Sequence, residues 1–272
     1  MKELLRADLF NLRRGKAMYL LLAGAVLAGI LMPLMYYGLI EFVKLLEQTD
    51  PSQFGDMMVP LTSVLEYMNA DLVFKSVLPL NEGYGLIICG VVCFYNCRQF
   101  NNGIIRNKII AGKKRTPVYL SMLVTSQIMA LSAALIYSAV CAVATVALFG
   151  ALKMSAGEIV SLFVVSVLMY AVYAAITVMI VFLLKSVPLS LVVSIVFPIV
   201  VGTVFQLIAS VAQALPEKIL PVCAVFPTFA LTLLVGDIKS SGIVPVFTVA
   251  AAAWVVLFTV IGILRFRRSD IR

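Results

Sequence analysis

Long runs without any charged residue constrain this chain more than any other feature of its sequence. Runs of at least 15 such residues occur at 17–40, 83–97, 116–152, 159–184, 186–216, 219–236 and 240–264. An α-helix needs about 20 apolar residues to cross the hydrocarbon core of a bilayer. Hydrophobic residues make up 62% of the chain and charged residues 12%, which leaves too little polar surface for a water-facing globule. The sequence therefore predicts an all-α integral membrane protein.

Positive charge indicates how many of these runs cross completely. Five Lys and Arg residues precede the first run, and four Arg residues lie at or after position 265. Because basic residues concentrate on the cytosolic side of a membrane, both ends are expected in the cytosol, and the number of crossings must then be even. The run 219–236 contains Pro221 and Pro227, which break helices, so we predict that it does not cross.

These considerations predict one transmembrane domain, 1–272, with six crossings. The predicted spans are 17–40, 78–97, 118–150, 159–184, 188–212 and 242–264, the third being one long helix that begins near Pro117. A re-entrant or interfacial hairpin is expected at 213–240, an outer loop with short surface helices at 41–77, and a cytosolic loop at 98–117. The first run has no charge over 24 positions, which is longer than the apolar core of a signal peptide.

The residue types that most enzymes need are sparse. The sequence has no His, which is the commonest general base and metal ligand. Its nearest approach to a nucleotide-binding P-loop is Gly112-Lys113-Lys114, where the first Gly is replaced by Asn107 and the hydroxyl residue by Lys. Apart from Glu82, at an outer edge, the predicted spans contain none of the ionisable residues that ion-coupled carriers usually bury. We therefore expect no catalysis and no cofactor in this chain, and a separate ATPase as the energy source for any uphill transport.

Two other groups of residues have a structural and a functional interpretation. Cys89, Cys93 and Cys97 recur every four residues, so they either pack as small residues against another helix, the commoner role, or bind a soft metal. Polar residues inside the spans either line a transport pathway or bond a neighbouring helix. Those residues are Asn96, Gln127, Tyr137 and Gln206. The net charge of +8 follows the predicted topology, so nucleic acid is not an expected partner.

The loop 98–117 is the most informative connection, because it holds six basic residues and no acid. It is expected to be partly helical, with Gly103 and Gly112 interrupting it. Physical chemistry alone favours a loop that lies on anionic headgroups, as positive-inside loops do. The alternative is a helix held between the membrane and a second protein, in which Gly103→Pro would remove a mid-helix hydrogen bond.

Two segments resemble the permeases of the type-two ABC transporter family. The amino end KELLRADLFNLRRGKAMYLLL is similar to the short amphipathic basic helix that leads into their first span. The stretch 94–122, with Phe100, Asn102-Gly103, Arg106-Asn107-Lys108, Gly112, Arg115 and Tyr119, resembles the pattern that follows their second span. Gln99 stands where that pattern has an acid, and Ile104 where it has Thr. The six-span layout and the hairpin fit as well, so the resemblance covers the whole chain.

The resemblance implies an exporter subunit in the plasma membrane of a prokaryote. In that family the loop after the second span is a coupling helix that docks into a separate cytosolic ATPase, which holds ATP and Mg²⁺. Two permeases, identical or homologous, work with two ATPases. The residues that would make the coupling contact are Phe100, Gly103, Ile104, Arg106 and Lys108. The alternatives are a channel or secondary carrier, and a non-transporting assembly or sensor subunit of the membrane.

Overall fold

A computed structural model describes residues 2–49, 69–78, 84–212, 225–226 and 243–268. The helices within these ranges are α1 (Lys2–Arg14), α2 (Lys16–Thr49), α3 (Ala70–Val77), α4 (Gly85–Asn101), α5 (Ile104–Ile110), α6 (Arg115–Phe149), α7 (Ala156–Leu184), α8 (Val187–Ala212) and α9 (Ile243–Arg268). The same ranges contain no strand. Five of these helices (α2, α6, α7, α8 and α9) are long and apolar enough to cross a membrane, so the all-α membrane class is confirmed.

The helix α7 is the centre of the bundle. Of its most apolar window 72% is buried, against 22% for α2, α8 and α9 and 33% for α6. It packs against α4, α6, α8 and α9. A capping box fixes its start, because Ser155 Oγ accepts from the Glu158 backbone N–H at 3.3 Å and the Glu158 carboxylate accepts from the Ser155 N–H at 3.2 Å. The outer helices therefore expose most of their apolar surface, which suits a hydrocarbon environment.

Two helices, α3 and α4, occupy the end of the expected outer loop and the predicted second span. Short surface helices are predicted in that loop, and residues 70–77 do form a short helix, α3, but its Val73 and Phe74 are fully buried rather than at the surface. At its start, Asp71 Oδ1 accepts from the backbone N–H of Lys153, just beyond α6. At its end, Leu78 follows, and the next described helix, α4, begins at Gly85 rather than at residue 78. The charges of Asp71 and Lys75 indicate a surface position for residues 70–77, yet Lys75 is only 8% exposed.

Other boundaries lie closer to the predicted ones. Residues 118–150, the predicted third span, lie almost wholly in a single helix, α6, and α7, α8 and α9 begin within three residues of the predicted starts. The helix α2 is longer than the predicted first span, because it continues through residues 41–49 of the expected outer loop. The helix α4, in the predicted second span, has 17 residues, fewer than the roughly 20 that a crossing helix needs. It is not among the five helices long and apolar enough to cross, so six crossings remain a prediction.

The predicted hairpin 213–240 lies outside the described residues except for Val225 and Phe226. The indole Nε1 of Trp254 donates to the Val225 carbonyl at 2.9 Å. The Phe226 ring lies 6.4 Å from the Trp254 ring, measured between centroids. Since Trp254 is near the middle of α9, this short part of the segment contacts the middle of a long apolar helix.

The three cysteines of α4 are buried in the bundle. Cys89 belongs to the main core, whereas Cys93 and Cys97 pack with Val181 of α7 in a smaller cluster. The sulfurs of Cys93 and Cys97 are 3.9 Å apart. Among the described residues no group of three or more His, Cys, Asp or Glu is arranged to hold a metal ion. The contacts of these thiols are those of small packing residues.

Candidate functional site

The predicted loop 98–117 consists of the end of α4, the short helix α5 and the start of α6. Gly103 has a positive φ of 67° and Gly112 one of 79°, a region that only Gly enters at little cost. Gly103 accepts from the Asn107 N–H at 2.8 Å and donates its own N–H to the Phe100 carbonyl at 3.0 Å. Gly103 thus turns the chain from α4 into α5. The alternative with a second protein predicts Gly103 in the middle of a helix, but it lies before the first residue of α5.

The helix α5 has an inner and an outer side. Ile105 is 1% exposed and belongs to the core, and Ile109 packs against that core. Arg106 and Asn107 are exposed, and Ile110 is 72% exposed. A seven-residue helix has little stability of its own, so the inner contacts hold α5 in place while Arg106, Asn107 and Ile110 remain accessible.

A buried ion pair anchors α5 to α1. Lys108 Nζ lies 2.6 Å from Asp8 Oδ1, with side-chain exposures of 12% and 3%. Ser121 of α6 donates to Asp8 Oδ2 at 2.6 Å, and Lys108 also donates to Gln99 Oε1 of α4 at 3.4 Å. We call Asp8, Gln99, Lys108 and Ser121 the Asp8 cluster. It joins four helices, and it satisfies a carboxylate whose burial without partners would be strongly unfavourable.

Asp8 is a residue that sequence reasoning missed. It lies on the buried side of α1, between Leu4 and Leu12 at spacings of four residues. An acid in the middle of an apolar stripe is the signal that could have identified it, since such a charge needs a partner. Gln99 stands where the pattern of the type-two ABC permeases has an acid. Its uncharged Oε1 accepts from Lys108, and the carboxylate that pairs with this lysine is Asp8 of α1.

Aromatic rings support the site from within. Phe182 of α7 contacts Phe100, Tyr119 and Phe266, with centroid distances of 4.9, 4.7 and 4.6 Å. The guanidinium of Arg115 donates to the carbonyls of Phe266 and Arg267 at 3.2 and 2.8 Å. The start of α6 therefore holds the end of α9, and α1, α5 and the end of α9 lie at the same end of the bundle.

The structure places the five predicted coupling residues together, but in two environments. Gly103 caps α5, Ile104 is half-buried and Arg106 is exposed. Phe100 packs on Phe182, and Lys108 points into the Asp8 cluster. At the surface, Lys113 donates to Glu3 at 3.1 Å. This hydrogen bond and the lysine charge lower the pKa of the Glu3 carboxyl below its ordinary value.

The predicted pathway residues bond to other parts of the bundle where they are described. The amide of Asn96 donates to Ser126 Oγ at 2.8 Å, and the amide of Gln127 donates to the Ala171 carbonyl at 2.9 Å. The hydroxyl of Tyr137 donates to the Val77 carbonyl at 2.9 Å. Gln206 lies in α8, and its side chain is outside the described part of the chain. These bonds are the helix-to-helix contacts that were the alternative to a pathway.

Three tyrosines fill the middle of the bundle, where α3 ends and α4 begins. Tyr170 donates to the Leu78 carbonyl at 3.1 Å, next to the bond from Tyr137 to Val77. Tyr84 donates to the Leu21 carbonyl of α2, and its ring stacks on Tyr137 at 5.4 Å. We call Tyr84, Tyr137 and Tyr170 the tyrosine cluster. Two of its hydroxyls bond the carbonyl of Val77, the last residue of α3, and that of Leu78, its C-cap; carbonyls at the end of a helix have no partner within it.

No protein-family model and no curated protein matches this chain. Its class follows from the structure: helices long and apolar enough to cross a membrane, packed around α7, are typical of a multi-pass α-helical membrane protein.

Proposed function

We propose that this chain is the transmembrane subunit of an ATP-driven exporter. A second, identical or homologous subunit would complete the translocation pathway, and separate cytosolic ATPases would bind ATP and Mg²⁺. The observation that carries the proposal is α5: a short helix between two long ones, fixed on its inner side by Ile105 and Lys108 and exposed at Arg106, Asn107 and Ile110. The resemblance at residues 94–122 supports the same role.

A coupling contact must move with the helices that it drives. The Asp8 cluster links α5 to α1, α4 and α6 through a charge pair and hydrogen bonds. Phe100 adds a ring contact to α7 at the centre of the bundle. A push on α5 would therefore reach α1 and α4 through Lys108, α6 through the bond from Ser121 to Asp8, and α7 through Phe100 of α4. In this proposal Phe100, Gly103 and Lys108 position α5, whereas Ile104 and Arg106 contact the ATPase together with Asn107 and Ile110.

The same geometry weakens the interpretation of residues 98–117 as a loop that only rests on headgroups. A basic residue near an anionic surface contributes about 1 kcal/mol to membrane binding. Lys108 forgoes this contribution, because its ammonium group is inside the protein with Asp8. Ile110, at 72% exposure, is an apolar side chain available to a protein groove.

The topology is part of the proposal: six crossings, with both ends in the cytosol of a prokaryote. Support comes from α1 and the end of α9, which both contact the first part of α6. Cysteine labelling tests it. Lys239→Cys is expected to react with an impermeant reagent from outside the cell, and Arg268→Cys only after the membrane is opened. Labelling of Arg268→Cys from outside contradicts the topology.

ATPase coupling is tested with the tagged full chain purified from its native membrane. We expect an ABC-type ATPase to co-purify and ATP hydrolysis to depend on it, with no hydrolysis by the chain once it is separated. Arg106→Glu with Ile110→Glu should abolish the association, because both side chains are exposed on α5. The matched control is Arg13→Glu with Phe10→Glu, an exposed pair on α1.

Three results contradict the proposal. One is an ATPase association that both pairs of substitutions leave unchanged. Another is solute flux through liposomes that contain only this chain and no ATP, which identifies a channel or secondary carrier. The third is a dimer that binds no ATPase and moves no solute, which identifies an assembly or sensor subunit.

A further inference from the structure

A cleft of about 320 Å³ opens beside the Asp8 cluster, between the α1–α2 junction and the end of α4. Lys16 and Asn11 line one wall, and Arg98 and Asn102 line the other. All four side chains are exposed. Neither Lys16 nor Arg98 has a salt bridge to any described residue. Asp8 lies at the floor of the cleft, but its charge is balanced by Lys108, so the cleft keeps the positive charge of Lys16 and Arg98.

The apolar part of the cleft lies on one side of this charge. Phe94 is four residues before Arg98 on α4, so the two side chains lie on the same face of the helix, one turn apart. Phe94 is 52% exposed and lies towards the middle of α4. Ala17 also lines the cleft and is the second residue of the long apolar helix α2. Cations therefore lie at the rim and apolar side chains lie deeper along both helices.

We propose that this cleft binds the headgroup of an anionic glycerophospholipid. The phosphate would lie between Lys16 and Arg98, with the amides of Asn11 and Asn102 as hydrogen-bond donors. An acyl chain would run along Phe94. Basic pockets between membrane helices bind anionic headgroups because the charge and the apolar surface act on the same molecule. A free phosphate ion would use the cations alone and gain nothing from Phe94. Lipid binding here requires that the chain spans a membrane but not that an ATPase binds, although Ile104 of the proposed ATPase contact also lines the cleft.

Native mass spectrometry of the detergent-purified full chain tests the site by titration with phosphatidylglycerol. Phosphatidylcholine with the same acyl chains is the comparison lipid, and inorganic phosphate is the competitor. The expected result is a preference for phosphatidylglycerol that inorganic phosphate does not remove. Lys16→Gln with Arg98→Gln should weaken binding about tenfold or more, since each basic residue contributes about 1 kcal/mol. Phe94→Ala should weaken it by a smaller factor.

The matched control is Arg6→Gln with Lys114→Gln, which removes the same charge from exposed residues outside the cleft. Binding to this control should stay within about threefold of the original. Asn102→Trp is a second variant that fills the cleft without changing charge, and it decides the matter if the double variant does not fold. Equal losses in the control and the cleft variant overturn the site. So do equal binding of phosphatidylcholine, full competition by inorganic phosphate, and undiminished binding to Asn102→Trp.

Discussion

The Asp8 cluster and the tyrosine cluster solve the same problem with different chemistry. Both keep polar groups satisfied where side chains are almost fully buried: Asp8 is 2% exposed, and Tyr84 and Tyr137 are fully buried. The first uses a charge pair and lies at the end of the bundle that holds α1, α5 and the end of α9. The second uses neutral hydroxyls: Tyr137 and Tyr170, near the middle of α6 and α7, donate to the carbonyls of Val77 and Leu78.

The difference shows how burial and depth select the type of bond. A charge pair in a low-dielectric interior must recover a large desolvation penalty, and it does so only with good geometry and additional hydrogen bonds. The Asp8 cluster has both, and the 12% exposure of the Lys108 side chain reduces the penalty further. In the middle of an apolar bundle a tyrosine hydroxyl satisfies a carbonyl without any charge. The two clusters should therefore fail differently when one partner is removed.

The largest effect is expected for Asp8→Asn. The substitution leaves the Lys108 ammonium group inside the protein without its counter-charge, and such a loss costs about 3 kcal/mol in the free energy of unfolding. Adding Gln99→Glu should recover most of this, because Gln99 Oε1 is already 3.4 Å from Lys108 Nζ. Unfolding of the detergent-solubilised chain by a denaturing detergent measures both variants. A double variant no more stable than Asp8→Asn contradicts the proposed pairing.

A smaller loss is expected for Tyr137→Phe, which removes the donor to the buried Val77 carbonyl but keeps the ring stacked on Tyr84. An unsatisfied buried carbonyl costs about 1–3 kcal/mol. Tyr19→Phe is the control, since Tyr19 is 62% exposed and should change stability by less than about 0.5 kcal/mol. The same unfolding assay applies. Equal stabilities of the two variants would show that the tyrosine cluster is held by ring packing rather than by its hydrogen bonds.

The next effect concerns the backbone of Gly103, at the end of the bundle that holds the Asp8 cluster. Gly103→Ala places a side chain at a φ of 67°, which costs about 1 kcal/mol, and Gly103→Asn should cost less because Asn enters this region more easily. Nothing lies within 4 Å of an added Cβ at Gly103, so the difference reports the backbone alone. Stabilities in the order Gly, Asn, Ala are expected from the unfolding assay. An Ala variant as stable as the original refutes the described turn into α5.

The smallest effect is expected for Lys113→Gln, at the exposed edge of the same region. Lys113 lowers the pKa of Glu3 through a hydrogen bond and its charge, so the substitution should return that pKa towards its ordinary value. A carboxyl with a lowered pKa stabilises the fold above its unfolded pKa, and this contribution is lost as the pH falls through the folded pKa. Carboxyl ¹³C NMR measures the titration. Stability at neutral pH should hardly change, because exposed pairs contribute little.

The sequence predicted the long helices well because a charge-free run is a local property. Residues 118–150 and 159–184 correspond to α6 and α7 within about one turn. The prediction was less successful at α3, since Asp71 and Lys75 are charged and the helix is nevertheless buried. A hydropathy pattern assigns a charged residue to the surface, because it contains no information on that residue's partners. The partner of Asp71, the backbone N–H of Lys153, lies 82 residues away in the sequence.

The candidate site was predicted only in its position along the chain. The pattern at residues 98–115 located α5 and its two glycines. The sequence alone did not indicate that Phe100 and Lys108 face inwards, because their contacts with Phe182 and Asp8 join positions 82 and 100 residues apart. Ile110, which the predicted coupling set does not include, is 72% exposed, whereas Phe100 and Ile104 of that set are half-buried.

The ion pair between Asp8 and Lys108 has a consequence for the order of biosynthesis. The first partner is made about 100 residues before the second, and ribosomes add roughly 5–20 residues per second. For roughly 5 to 20 s, then, a nascent chain carries α1 with a carboxylate that has no counter-charge. During that interval α1 cannot take its final place against α6, which has not yet been translated. The helix α1 therefore leaves the ribosome before its partners exist, and it can dock only after α5 and the first part of α6 have been translated.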